Sequence, residues 1–394
     1  SDSQGYKSPS HSNFYYNITQ TYSKYFWTNK KPISNSKFIH FNYFYFNYQN
    51  ELSYGHCSWE QHFCYFSFAE QVINSILFNY KFFLINFPIF SFTQQKNFMF
   101  MLSTLFDPRY AFLFYAPLVF SLDRYAGRKL MWVTVIAEWS NHLLKWIMHG
   151  ERPYWWVHET SVYNQTQTPQ IQQYFLTCET GPGSPSGHAM VTAAVWYILV
   201  ESFLRRRGTL EKSSILNRIC WSIYTIILCF VSLSRVYIAA HFPHQCLLGA
   251  CIGVSVAMLI SHLDTDKFKL NHYFYGTVFL FISALSTFAI LKLLGFNPMW
   301  SVERALKWCA KRENVHLDTT PFFSMMRYCG FFLGMGLALH SNLYQNAFKN
   351  FFTTNMKIVA AILSVGFAKS TEYVPMPKSN PSLCYLMVFL LSII

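Results

Sequence analysis

Residues 181–200 read Gly181-Pro182-Gly183-Ser184-Pro185-Ser186-Gly187-His188, then Ala189-Met190-Val191-Thr192-Ala193-Ala194-Val195-Trp196-Tyr197-Ile198-Leu199-Val200. The first eight residues suit a tight loop that ends on a helix N-cap, and the rest continue as an apolar helix. The first N–H groups of such a helix have no partner inside it, so its start attracts anions. Gly187 allows a close approach, and His188 stands beside it. The plainer alternative is a capped turn with an incidental His.

Two further groups have the same character. Upstream, Lys145 is followed seven residues later by Arg152-Pro153. Seven residues is nearly two helical turns, so the spacing predicts Lys145 and Arg152 on one helix face, extended into the membrane by Glu138 and His142. The plainer alternative is a snorkelling Lys and an Arg that marks the end of a span. Downstream, Ser234-Arg235 is followed by His241 and then Pro243. Arg235 ends one apolar run, and Pro243 suits the first turn of the next. A helix start near His241 favours a neutral imidazole. Here the alternative is a pair of interfacial anchors.

The three groups are stronger together than apart. Two Arg, one Lys, two His and a helix start reach one membrane face from different spans. Guanidinium forks grip phosphate oxygens, one His can attack phosphorus, and the other can protonate a leaving oxygen. No cluster of Asp and Glu is present to hold Mg²⁺, so no metal and no cofactor is expected. The cationic charge comes from side chains.

The rest of the chain agrees with a membrane setting. Of its 394 residues, 52% are hydrophobic and only 12% charged. That charge content is about half the usual soluble share, which argues against an ordinary soluble domain and against a disordered chain. A helix of roughly 20 apolar residues crosses a bilayer. Candidate spans are 98–120, 129–149, 188–204, 219–234, 243–262, 272–294, 322–340, 356–369 and 383–394. The expected fold is therefore an all-α polytopic membrane bundle of about nine spans. The net charge of +13 sits in short loops rather than along a basic groove, so no nucleic-acid partner is expected. Loops 121–129, 205–218, 263–271 and 341–357 hold twelve Lys and Arg; the opposite loops hold seven, four of them in 295–321. Positive-inside counting places the first set in the cytosol and 150–187 and 235–242 in the lumen or exterior.

Residues 1–97 are different. They contain 28 aromatics and 11 Asn but no Arg, the first being Arg109. The expected division is a compositionally biased extension over 1–97, without assigned function, and a membrane phosphatase domain over 98–394. The last candidate span stops at Ile394 and is expected to be cut short.

The ordered set Lys145, Arg152-Pro153, Pro185-Ser186-Gly187-His188 and Ser234-Arg235 with His241 resembles the type 2 phosphatidic acid phosphatase and vanadium haloperoxidase superfamily. Longer stretches are similar to the glucose-6-phosphatase catalytic subunits. They are Arg152–Val157, Thr177–His188, Ser234–Gln245, Asp107-Pro108-Arg109 and His316–Pro321. The resemblance covers residues 98 to 394. It implies a nine-span protein of the endoplasmic reticulum membrane that hydrolyses glucose 6-phosphate at a lumenal site through a phosphohistidine. Carried over, His241 is the nucleophile and His188 the acid. Arg152 and Arg235 clamp the phosphoryl group with Lys145 beside them, and Ser186 and the Gly187 amide belong to the phosphate-binding loop. A separate glucose 6-phosphate carrier enters as an optional partner. The wider superfamily has Asp four residues after the nucleophilic His. This chain has Gln245 there, so Gln245, His244 or a backbone carbonyl is left to orient His241.

Asn164-Gln165-Thr166 is a glycosylation sequon in the first lumenal loop, whereas Asn17-Ile18-Thr19 reads as a chance match. Cys178 and Cys309 both fall in expected lumenal loops, and spacing alone leaves their pairing open. Asp107 and Arg109 within the first span pair with each other or with the bundle, and a kink at Pro108 is an equal alternative. Two other functions remain at this point. A lipid-phosphate phosphatase would use the same chemistry, but Trp155 and Trp156 in a long loop suit a cover over a soluble substrate. A non-enzymatic sugar-phosphate transporter or binding subunit would be expected to show internal repeats, and none is found.

Overall fold

The structure is a computed structural model that describes residues 92–160, 163, 168–210, 214–348, 353–375 and 381–393. The sequons at Asn17 and Asn164 and most of the aromatic-rich extension lie outside the described residues.

Helix α1 (Phe92–Leu105) begins six residues before the expected domain boundary at 98. It stops at Asp107-Pro108, where Pro cannot continue the hydrogen-bond ladder. A π-helical turn (Ala111–Tyr115) leads into α2 (Ala116–Leu122), so the expected span 98–120 is a broken helix. The Asp123 carboxylate caps α3 (Arg124–Met148). A short α4 (Pro153–Glu159) follows, then α5 (Gly187–Arg206), α6 (Ile215–Tyr237), α7 (Pro243–Ser261) and α8 (Leu270–Leu293). The remaining helices are α9 (Trp300–Trp308), α10 (Pro321–His340), α11 (Asn342–Phe348), α12 (Thr354–Ser370) and α13 (Pro381–Ile393). Among the described residues there is no strand, only one isolated bridge between Glu179 and His316. The all-α expectation holds. Among the described residues five helices, α5 to α8 and α10, are long and apolar enough to cross a membrane.

Helix α5 is the most buried of these five and packs on α3, α6 and α7. Its closest partner is α7. A Cβ on Gly249 would stand 2.5 Å from the Ser186 carbonyl oxygen, and one on Gly253 would stand 2.2 Å from that of Met190. Only glycine lets the two backbones touch like this, as small residues four apart do in membrane helices. Helix α8 is the least buried of the five. Its exposed Phe274, Phe279, Ile282 and Leu293 suit contact with lipid chains rather than water.

Two buried polar pairs tie α3 to α10. Arg327 meets Glu138 at 3.0 Å, and His142 Nδ1 lies 3.1 Å from the Tyr328 hydroxyl. Glu138 and His142 therefore link α3 to α10, on the same stretch of α3 that carries Lys145.

The loops sort into two ends. At one, Arg206 pairs with Asp123 at 3.4 Å and Arg128 with Asp266 at 2.5 Å. At the other, the segments 150–187 and 295–321 pack together. Helix α9 docks on α4, Arg304 pairs with Glu151, and Lys307 meets Glu159 at 2.9 Å. A disulfide joins Cys178 to Cys309 across 131 residues. These pairs give a physical reason for the basic residues of 295–321, which weaken the positive-inside count. Two of the four neutralise carboxylates of the neighbouring loop.

Candidate active site

The site lies where the ends of α3, α5 and α6 meet the 150–187 loop. Helix α3 ends at Met148, and His149 turns the chain through the left-handed region at φ 48°. Arg152 then sits in extended backbone before Pro153 at the first turn of α4. Lys145 and Arg152 thus do not share a helix face, because the helix stops between them. They converge because the loop folds back. Arg152 Nε donates to the Gly181 carbonyl at 2.7 Å, and a methyl group on Gly181 would lie 3.6 Å from Lys145 Nζ.

The Gly181–His188 loop is held from three sides. Gly183 N donates to Gly150 O at 2.7 Å, Ser186 N donates to Gln245 O at 3.0 Å, and Asn141 Nδ2 donates to Pro185 O at 3.1 Å. The Ser186 hydroxyl caps α5 by accepting from Ala189 N at 3.5 Å. The Ser186 amide is thus taken by the Gln245 carbonyl, while its hydroxyl accepts from its own helix and still has a proton to donate. The amides of Gly187 and His188 open the helix beyond it.

Arg235 stands in the last turn of α6 and is 1% exposed. Ala239, at φ 57°, reverses the chain so that Ala240 N bonds back to Arg235 O at 3.1 Å. That turn delivers His241 to the site. Its Nδ1 lies 2.8 Å from the Gly183 carbonyl oxygen. A carbonyl only accepts, so Nδ1 carries the proton and Nε2 keeps its lone pair. Of the three candidates for orienting His241, the backbone carbonyl is the one seen on Nδ1. Gln245 bridges Phe242 N at 3.1 Å and Glu151 O at 2.7 Å, and so fixes the turn. Burial, followed by the Arg152 charge, holds the His241 imidazole well below its ordinary pKa, while Glu179 opposes them.

At the centre is a residue that sequence reasoning quoted but did not weigh. Glu179 Oε2 lies 2.9 Å from Arg152 Nη1, and Oε1 bonds Arg235 Nη2. The same carboxylate is 3.8 Å from His241 Nε2 and 3.9 Å from His188 Nδ1. Burial raises its pKa, but Arg235 and Arg152 outweigh burial and hold it well below the usual carboxylate range. On its far side, His188 Nε2 is 3.9 Å from Asp107. Asp107 is gripped by Arg109 at 3.0 Å, and Arg109 reaches Asp318 at 2.6 Å. The Asp107-Pro108-Arg109 and His316–Pro321 motifs thus meet at the site. All five expected cationic or His positions, Lys145, Arg152, His188, Arg235 and His241, lie around this one point. Their chemistry, two guanidiniums and a Lys amine around an imidazole nitrogen that carries no proton, suits a phosphoryl group.

Comparisons with known proteins agree. The PAP2 superfamily matches residues 126–269, which include every one of these five positions. The rat protein named glucose-6-phosphatase catalytic subunit 1 is 38% identical over 306 residues, covering 76% of this chain and 86% of its own length. The mouse glucose-6-phosphatase 2 is 38% identical over 302 residues, covering 74% and 85%. The catalytic subunit 1 of the fish Haplochromis nubilus is 42% identical over 272 residues, covering 67% and 74%. No solved structure matches. The chain is a membrane-embedded phosphoric monoester hydrolase, and it belongs to the glucose-6-phosphatase catalytic subunit family.

Proposed function

We propose that the chain hydrolyses glucose 6-phosphate to glucose and phosphate through a phosphohistidine on His241, at a site that faces the lumen of the endoplasmic reticulum. The observation that carries this reading is the His241 Nδ1 contact with Gly183 O, which leaves Nε2 as a lone pair beside Arg152, 3.4 Å away. Arg152, Arg235 and Lys145 bind the phosphoryl oxygens and neutralise charge in the transition state. The His241 Nε2 lone pair forms a bond to phosphorus as the bond from phosphorus to the sugar oxygen breaks. Protonated His188 gives its proton to that oxygen, and glucose leaves. Water then attacks phosphorus, neutral His188 takes its proton, and the nitrogen–phosphorus bond breaks. Phosphate is released and His241 is restored. The cations are side chains, so chelators leave the rate unchanged.

The sugar assignment is supported by the names of the relatives, and the lumenal side by two features. Positive-inside counting puts the opposite loops in the cytosol, and the Cys178–Cys309 disulfide suits an oxidising compartment. The test is an alkaline denaturing quench of detergent-purified protein turning over glucose 6-phosphate labelled on phosphorus, because a phosphohistidine survives base and is lost in acid. Acid-labile label on a His241 peptide is expected. Label on protein that lacks His241, or a preference for a lipid phosphate assayed alongside, overturns the reading.

A further inference from the structure

We infer that the Glu179 carboxylate is the resting occupant of the phosphoryl pocket, displaced by each incoming phosphate group, and that it sets how tightly the site holds phosphate-type anions. This rests on the reading of the pocket as a phosphoryl site.

The argument begins with what the carboxylate touches. One side chain meets both guanidiniums and lies within 4 Å of both imidazoles. Those are the four groups that a bound phosphoryl must face, and two anions cannot share them, because like charges in one buried pocket repel strongly. Phosphate therefore enters only as Glu179 leaves.

The carboxylate also fits the pocket incompletely. Arg235 gives Nη1 to the Ser103 hydroxyl at 2.5 Å and Nη2 to Glu179. Its Nε, equally buried, has no hydrogen-bond partner among the described residues. A planar carboxylate with two oxygens, shared between two Arg, leaves that donor unused. A phosphoryl group carries three free oxygens and a second negative charge, so it can take the rest of the fork. The pocket is built for more acceptor than Glu179 supplies.

The backbone around Glu179 does not move easily. Tyr154 Oη donates to its carbonyl at 3.0 Å, the adjacent Cys178 is disulfide-bonded, and His316 N donates to Cys178 O at 3.1 Å. Thr180 N donates to the Thr319 hydroxyl at 3.0 Å. Displacement is thus a rotation of the Glu179 side chain on a fixed stem. Two functions follow. In the resting enzyme the carboxylate compensates two buried guanidiniums, which are costly when unpaired. After turnover it competes with product phosphate for the same donors and hastens its release.

An internal competitor weakens apparent affinity by the fraction of time it occupies the pocket. The experiment measures vanadate and inorganic phosphate binding to detergent-purified full-length protein by calorimetry, with no turnover. Glu179→Gln keeps the shape and removes the charge, and both anions are expected to bind about tenfold tighter or more. Equal or weaker binding by folded Glu179→Gln overturns the inference. Independently of any variant, the infrared difference spectrum of the wild type on vanadate binding should show a carboxylate stretch shifting as the guanidiniums are lost. No carboxylate change on a binding-competent wild type also overturns it. A wild type that binds neither anion defeats the phosphoryl-site reading itself, a different outcome from a site that binds but does not tighten.

Discussion

The carbonyl oxygen of Gly183 accepts a hydrogen bond from His241 Nδ1 at 2.8 Å, so the loop before α5 fixes the tautomer of a residue that precedes α7. A Cβ on Gly183 would lie 2.2 Å from the Glu151 carbonyl oxygen. The loop is therefore pressed between the 150s segment and the 241 turn, and the imidazole inherits its position. Gly183→Ala should force the loop away from Glu151 and lose the Nδ1 contact. Activity is expected to fall at least about tenfold, mainly in kcat, because a misplaced nucleophile costs rate more than binding. Steady-state kinetics on purified protein check this, and an unchanged kcat would show that the carbonyl does not position His241.

The two His should fail differently. His241→Ala should remove the covalent intermediate with any substrate. His188→Ala should be slow with glucose 6-phosphate, whose alkoxide leaving group needs a proton, but should recover part of its rate with nitrophenyl phosphate. Equal losses of His188→Ala on both substrates would remove its role as acid.

The motifs were legible in the sequence and their connections were not. Lys145, Arg152, His188, Arg235 and His241 were identified as residue types suited to phosphate, and the fold brings all five together. The helix-face argument for Lys145 and Arg152 failed because spacing carries no record of the left-handed residue at His149 that ends α3. Glu179 went unweighed because a lone acid in a loop has no period or partner to flag it; only the fold sets it between two Arg. That Glu138 and His142 also tie α3 to α10 was not legible, because their partners, Arg327 and Tyr328, lie about 190 residues away. The break of the first span was signalled by Asp107-Pro108 and is seen there.

Among those long-range pairs, Arg327 with Glu138 gives a stability prediction. Arg327→Met strands a buried carboxylate, which costs about 3–5 kcal/mol. Adding Glu138→Gln should restore much of the loss, since the remaining amide carries no charge. Melting temperatures of the two variants in one detergent decide the matter, and a double variant no better than Arg327→Met would mean the pair matters for packing rather than charge.

The disulfide gives another. Cys178 is the neighbour of Glu179, and Cys309 anchors it to the loop after α9. Cys309→Ser should lower stability by about 2–4 kcal/mol. It should also reduce activity, because the stem of Glu179 loses its anchor. A linked Cys178–Cys309 peptide in a non-reducing digest is the direct check, and full activity and stability after complete reduction would argue that the bond is incidental.

Sidedness can be decided by chemistry at Asn164. Arg152 and Asn164 belong to one loop in the sequence, so a lumenal site makes Asn164 reachable by lumenal glycosylation. Expressed in microsomes, the chain should shift in mobility on glycosidase treatment, and Asn164→Gln should remove that shift; modification at Asn17 would show as a second shift that survives. The same orientation predicts latency. A sugar phosphate carries ionised oxygens whose transfer into hydrocarbon is prohibitively costly, so sealed vesicles without a carrier should hydrolyse it slowly. Detergent should then raise the rate severalfold, to the level of the purified enzyme. Full activity in sealed, carrier-free vesicles together with an unmodified Asn164 would put the Arg152, His188, Arg235 and His241 cluster on the cytosolic face. It would also reverse the assignment made from the loop charges, because the alternate loops at the two ends of the bundle must exchange sides together.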